Sequence, residues 1–279
     1  MSARVAMKRS PVLATLALTG VIALIAQTPD DEGSSESLAK ATQNPVASLI
    51  SVPFQNNINF AAGPYGRVQN VLNIQPVIPM ELSDSWNLIT RVIIPIIDQP
   101  QIVTPSLGTS GFGDVNPTFF FAPAKVHKLI WGLGPTFSLR TETNSTLGNG
   151  KWGAGPAFVA LVQPKEWTIG FLANNIWSFA GDKDSPSVKA FLLQYFVNYN
   201  FKKGWYLTSS PILTASWNAP SGTGNLWVVP FGGGFGRIFR IGKQPVNGSL
   251  TAYYSSIRPD FYPAWSVRFQ VALLYPKPK

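Results

Sequence analysis

The 279-residue chain reads as all-β, a twelve-stranded antiparallel up-and-down transmembrane β-barrel behind an N-terminal signal peptide. Three observations predict it. From Ile50 to Tyr275 apolar side chains recur with a period of two, the mark of strands whose two faces differ. The alternating segments run roughly 11–15 residues, against about 5–6 in soluble proteins, and that length crosses a bilayer at a steep tilt. All nine tryptophans fall on the apolar parity and close to segment ends, where an indole settles at headgroup level.

Taken in order, the chain begins with a basic stretch (Arg4, Lys8, Arg9) and then carries no charge from Ser10 to Ala26. This is the pattern of a secretory signal over 1–26, too short at roughly 15 apolar-rich residues for a spanning helix, which needs about 20. Removing it takes away three basic and no acidic side chains, so the formal charge of +9 becomes +6. Residues 27–47 read as a flexible periplasmic leader, acidic at first (Asp30, Asp31, Glu32, Glu36), with one helical turn near Leu38–Ala41. Residues 48–279 make the barrel.

Along it, Ile50, Val52, Phe54, Ile58 and Phe60 oppose Ser51, Gln55, Asn57 and Asn59 in the first strand. Leu72, Ile74 and Ile78 oppose Asn73 and Gln75 in the second, and Trp86, Leu88, Val92 and Ile94 oppose Asn87 and Arg91 in the third. The fourth sets Val115, Phe119 and Phe121 against Asp114, Asn116 and Thr118, and the fifth sets Leu129 to Leu139 against Gly132, Gly134, Thr136, Ser138 and Arg140. Trp152, Phe158 and Val162 mark the sixth, Trp167 to Phe179 the seventh, and Phe191 to Tyr199, opposite Gln194 and Asn198, the eighth. The ninth runs from Trp205 to Trp217 and the tenth carries Trp227, Val229, Phe231 and Phe235. Val246, Leu250 and Tyr254 oppose Asn247, Ser249 and Thr251 in the eleventh, and Trp265 to Tyr275 oppose Arg268 and Gln270 in the twelfth. Connections alternate between short and mostly longer, with both termini on the short side, as outer-membrane barrels are built. A polar face that tolerates Arg91 and Arg268 in mid-segment reads as a wet lumen.

Several stretches then resemble a known family. Asn44-Pro-Val-Ala-Ser-Leu-Ile-Ser-Val-Pro-Phe-Gln-Asn-Asn57, Gly111-Phe-Gly-Asp114, Lys151-Trp-Gly-Ala-Gly-Pro156, Asn175-Ile-Trp-Ser-Phe-Ala-Gly-Asp182, Gly204-Trp-Tyr-Leu-Thr-Ser-Ser-Pro211 and Pro230-Phe-Gly-Gly-Gly-Phe-Gly-Arg237 carry the likeness. Together they are similar to the outer-membrane barrels linked to the meta-cleavage pathway of phenol degradation, often labelled neuromedin-U-like. The resemblance implies uptake of aromatic or other small organic compounds. It departs at the C-terminus, where Tyr275 is followed by Pro276-Lys-Pro-Lys279 rather than ending on an aromatic residue.

The chemistry that these residues leave out narrows the function. With no cysteine and a single histidine, His127, placed in a short turn between Lys125 and Lys128, a nucleophile at the opposite rim has no base, which argues against an enzyme. An outer-membrane lipid-modifying enzyme is thus a distant third reading. No metal-ligand spacing occurs and no cofactor is expected. Gly232–Gly236 lacks the following helix that a phosphate loop requires, and inward glycines read as bends or lumen volume. Basic residues are scattered singly, which with export argues against nucleic acid.

The expected function is an outer-membrane channel for a small organic solute, aromatic or anionic, with a closed structural or surface-contact barrel as the alternative. Its partners are outer-membrane lipid, the barrel-assembly machinery and the solute. The candidate pore-lining residues are Arg91, Asp114, Asn116, Arg140, Lys151, Gln194, Asn198, Arg268 and Gln270, a set in which cations outnumber acids and so favour anions. Ile89, Phe120, Leu172, Ile176 and Ile212 share the inward parity and leave room for a hydrophobic cargo.

Overall fold

The computed structural model describes residues 29–276 apart from 103, 105, 106, 126 and 221–223, so the expected signal peptide lies outside the described residues. Fifteen strand segments make twelve barrel strands, because three strands are interrupted. They are β1 (Ile50–Ala62), β2 (Arg67–Ile74 and Val77–Glu81), β3 (Trp86–Gln99), β4 (Thr109–Phe112 and Asn116–Pro123), β5 (Leu129–Ser138), β6 (Lys151–Val162), β7 (Trp167–Gly181), β8 (Lys189–Asn200), β9 (Trp205–Ser209 and Ile212–Ser216), β10 (Trp227–Ile241), β11 (Gln244–Ile257) and β12 (Trp265–Tyr275). Each pairs antiparallel with its sequence neighbours, and β12 closes onto β1 in register from Ile50↔Tyr275 to Phe60↔Trp265. Closure leaves every ladder paired, which hydrocarbon demands because it offers no hydrogen bonds to a free edge.

Two interruptions fall at prolines: β2 breaks at Gln75-Pro76 and β9 at Ser210-Pro211, where the ring removes an N–H from the ladder, although Pro53, Pro95, Pro135 and Pro156 sit in unbroken strands. The third falls at Gly113–Val115 in β4.

The expected faces are the faces found. The outward parity presents Phe54, Leu133, Phe158, Phe171, Leu207, Phe235 and Phe269 as exposed side chains, a belt that would drive aggregation in water and belongs in lipid. Aromatic contacts knit both rims. At the short-loop end Trp86 meets Trp131 edge-on at 5.9 Å, Trp167 meets Tyr199 at 4.8 Å, and Arg237 lies 5.1 Å over Trp205. At the other end Trp217 and Trp227 are 5.7 Å apart, Tyr254 and Trp265 4.7 Å, and Trp217 Nε1 donates to Asn175 Oδ1 at 2.7 Å. No helix among the described residues is long and apolar enough to cross a membrane.

The leader departs from expectation. In place of a flexible segment with one helical turn, a helix α1 spans Pro29–Thr42 and lies inside the short-loop mouth of the barrel. Its Leu38 and Ala39 are buried on the inward-facing Ile238 of β10 and Ala272 and Leu274 of β12, together with Leu49. Lys40 donates to the Lys165 carbonyl, Gln163 Nε2 donates to the Lys40 carbonyl at 2.9 Å, and the Gln43 and Asn200 amides exchange bonds at 2.8 and 3.1 Å. The barrel makes room at the β8–β9 turn. A Cβ on Gly204 would stand 2.8 Å from the Ile238 carbonyl and 3.2 Å from Ser35 Cβ, and its φ of +73° suits only glycine comfortably. An acidic, weakly amphipathic segment is ordered because the barrel supplies the apolar wall that it cannot supply for itself.

Candidate functional site

The lumen has two unlike walls. One is apolar, built from the inward positions Ile89 (β3), Phe120 and Ala122 (β4), Ala157, Val159 and Leu161 (β6), Leu172 (β7) and Phe196 (β8). Val46, just beyond α1, is seated in it. The seat exists because β5 presents Gly132 there, where a Cβ would come 3.0 Å from Val46 Cγ1. Of the inward apolar positions singled out from sequence, Ile89, Phe120 and Leu172 are thus covered by the leader. An Asn44 side chain that accepts from the Val46 N–H at 3.0 Å holds the turn that delivers Val46.

The other wall is polar and encloses a cavity of about 190 Å³. β1 and β2 contribute Gln55 and Gln75, β3 Arg91, β8 Gln194 and Asn198, β9 Tyr206, Thr208 and Ser210, β11 Asn247 and Thr251, and β12 Arg268 and Gln270, while residues 41–45 of the leader close one side. Arg91 donates to Gln75 Oε1 at 2.8 Å. Arg268 donates through Nε to Asn57 Oδ1 at 2.9 Å and through a terminal nitrogen to the Ser210 carbonyl at 3.2 Å, and it lies 5.0 Å over the Tyr253 ring. Ser210 precedes Pro211, so the break in β9 leaves its carbonyl as an acceptor for Arg268, whereas Gln75 serves Arg91 through its side chain. Tyr206, lying across Gly236 of β10, donates to Asn247 Oδ1 at 2.7 Å. The glycines of β10 thus supply lumen volume for a tyrosine.

Of the nine candidates, Arg91, Gln194, Asn198, Arg268 and Gln270 meet in this cavity. The rest lie elsewhere. Asn116 is half-buried on β4 and donates to the Phe137 carbonyl at 3.4 Å. Asp114, Arg140 and Lys151 sit at the long-loop mouth, where charge is compensated: Arg140 lies 3.4 Å from Glu142 and 3.9 Å from Asp182, and Lys151 donates to the Asp182 carbonyl.

At that mouth, outside the spanning segments, Asp114 fills the break in β4 and accepts from the Asn149 N–H at 2.8 Å. Burial, together with a hydrogen bond to the Glu142 carboxyl, pushes its carboxyl up to about 6. Burial also works against the charge on Glu142, but bonds from Asp114, its own backbone and Arg140 outweigh it and hold Glu142 below the usual range. Asp114 is therefore the partner that keeps the shared proton. Because its native value lies above its ordinary 3.8, the stabilisation is complete below that value and is lost as pH rises through about 6. The loop 141–149 is expected to exchange its amide hydrogens faster at pH 8 than at pH 5 after correction for intrinsic rates, and Asp114→Asn should flatten the difference. An unchanged profile in that variant would show that another group sets it.

No protein-family model matches the chain, and no curated protein matches it. Solved structures do. The COG4313 outer membrane channel from Pseudomonas putida F1 superposes with a TM-score of 0.58 at 15% identity, covering 90% of this chain and all of that one. The fold is that of an outer-membrane β-barrel. Weaker matches to the CymD monoaromatic hydrocarbon channel (TM-score 0.42, 9% identity, 86% of this chain and 90% of that one) and to LpxR from Salmonella typhimurium (0.39, 8%, 81% and 100%) add nothing to this. With its lipid-facing belt and two aromatic rims, the chain is a barrel of the bacterial outer membrane.

What sequence reasoning missed in this outer-membrane barrel is the leader's share of the lumen. Gln43, Asn44 and Val46 carried no periodic signal, and only the short apolar run Leu38–Ala41 hinted at a buried contact. Tyr206 and Thr208 sat on the readable inward parity but were not singled out. His127 lies in the β4–β5 turn at the short-loop end, and no group of three or more His, Cys, Asp or Glu among the described residues is placed to hold a metal.

Proposed function

We propose that this chain is a channel that carries a small organic solute, aromatic or anionic, across the outer membrane. The observation that carries the reading is the polar cavity in mid-lumen, one side of which is a leader segment rather than the barrel wall itself. A leader held by a few side chains is a wall that can be withdrawn, leaving a wet path. The shared fold with a solved outer membrane channel supports the same reading, and the likeness of the sequence stretches to barrels linked to phenol degradation supports an aromatic solute. The barrel-assembly machinery and outer-membrane lipid are its expected partners.

Reconstitution of the folded protein in a planar bilayer tests it, with reversal potential read in a salt gradient. The expected record is discrete openings that favour anions, because among the described residues the chamber is lined by Arg91 and Arg268 and by no carboxylate. The leader lodged in the lumen favours a second reading, a closed structural or surface-contact barrel. Folded protein that stays silent both with the leader in place and with its hold broken would select that reading and overturn the channel.

A further inference from the structure

We propose that Arg91 and Arg268 hold a small organic monocarboxylate in the lumenal cavity, with Thr251 as a third donor. This names the solute class of the channel proposed above and rests on that reading.

The charge balance of the chamber leads to it. Two guanidiniums face one cavity with only neutral partners among the described residues: Gln75 for Arg91, and Asn57, the Ser210 carbonyl and the Tyr253 ring for Arg268. Among the described residues no carboxylate lines the cavity, and the ion pairs that Arg140 makes with Glu142 and Asp182 lie at the far mouth. Buried charge without a counter-charge is expensive and usually marks a place that an opposite charge fills. The leader supplies part of the balance, since α1 ends at Thr42 beside the chamber with the negative end of its dipole. That end amounts to roughly half an elementary charge, against two positive ones. About one and a half units of positive charge are left over, most of which a monoanion offsets.

A second observation is independent of charge. Thr251, 4% exposed and part of the cavity wall, has a buried Oγ1 with no hydrogen-bond partner. It stands directly opposite Arg268 in the β11–β12 register. Buried hydroxyls are nearly always satisfied; this one is closed off from the cavity as it stands, and a χ1 rotation that meets a bound polar atom would satisfy it.

Size and lining then choose among anions. A dry cavity of about 150 Å³ suffices for a benzene ring, so 190 Å³ takes one ring or a short aliphatic body together with its carboxylate. Val77, which stands opposite Arg91 in the strand register, and Phe196 add apolar surface to the lining that a bare inorganic anion would not use.

Binding is read on the full mature protein folded in detergent, from the midpoint of its heat-induced gel shift. The probes are benzoate, its neutral isostere benzamide, chloride and inorganic phosphate at equal ionic strength. Benzoate is expected to raise the midpoint by about 5–10 degrees when it exceeds Kd by about a hundredfold, and further with the logarithm of its concentration, while benzamide leaves it unmoved. Arg268→Gln and Arg91→Gln should each weaken benzoate about tenfold or more, the usual loss for one charge-assisted bond, and Thr251→Val should weaken it less.

Equal shifts from benzoate and benzamide, or full benzoate binding by the Arg91→Gln/Arg268→Gln double variant, would overturn the site. Equal shifts from phosphate or chloride would overturn the organic carboxylate as its ligand. The benzoate–benzamide comparison needs no variant, so poor folding of the arginine variants leaves the test intact. Saturable benzoate binding by a barrel silent in bilayers would remove the channel and keep the site; conduction without binding would do the reverse.

Discussion

Val46→Asp is expected to raise the single-channel conductance of the folded protein at least about tenfold, by expelling the leader from the lumen. Val46 sits among Ile89, Phe120 and Val159, all fully buried, with no polar group in that cluster. Burying the valine there stabilises the docked leader by roughly 1.5–3 kcal/mol, and an unpaired carboxylate in the same place would cost several kcal/mol more. A change of that size exceeds the 1.4 kcal/mol that shifts a two-state population tenfold, so the undocked form gains at least about tenfold in population.

Leu38 and Ala39 would still favour the mouth, but the turn that now fills mid-lumen would be free. Protease cleavage within residues 29–47 should accelerate in parallel. The opposite variant is a lock: Gln43→Cys with Asn200→Cys, placed on the reciprocal amide pair in a chain that has no native cysteine, should close the path when oxidised and restore it when reduced. Unchanged conductance in both would mean that solute and ions pass beside a leader that stays in place.

The second large effect concerns the wall itself. Phe158→Arg should destabilise the barrel by about 2–4 kcal/mol in lipid, the cost of an arginine near the bilayer midplane. Phe158 lies midway along β6, points outward and packs on Phe171 of β7 at a ring distance of 5.8 Å. The nearby Asn174 of β7 has the opposite parity and is half-buried in the interior. Asn174→Arg should cost less, although Asn174 stands opposite Ala157 and Leu192 beside the apolar wall, because its long side chain stays on the lumen side and out of lipid. Urea unfolding in liposomes, followed by tryptophan emission, measures both. Equal costs would show that the two faces are not chemically distinct.

How much of this was legible follows from what period two can encode. The alternation assigned all twelve strands, and with them the side of the wall on which Arg91, Gln194, Asn198, Arg268 and Gln270 project. A strand's parity is local, and lipid on one side makes an error costly at every second residue. Height along the barrel was not legible to the same degree. Arg91, Arg140 and Lys151 share an inward parity, yet one faces the central cavity and the others pair with Glu142 and Asp182 at the mouth. Which charges find counter-charges depends on the stagger between strands, and no single strand carries that information.

The sequence by itself determined the barrel, its lipid-facing belt, its two aromatic rims and the inward set of polar side chains, because each is repeated every second residue and enforced by a bilayer that rewards one face only. The tertiary structure alone decided that residues 29–47 are part of the lumen. Leu38, Ala39 and Val46 are too few to show a period, and their burial depends on surfaces contributed by β3, β4, β6, β7, β8, β10 and β12. It also decided that two arginines more than 170 residues apart share one chamber with no carboxylate among the described residues that line it. Closure of β12 onto β1 brings them together, and a ring closes only in three dimensions.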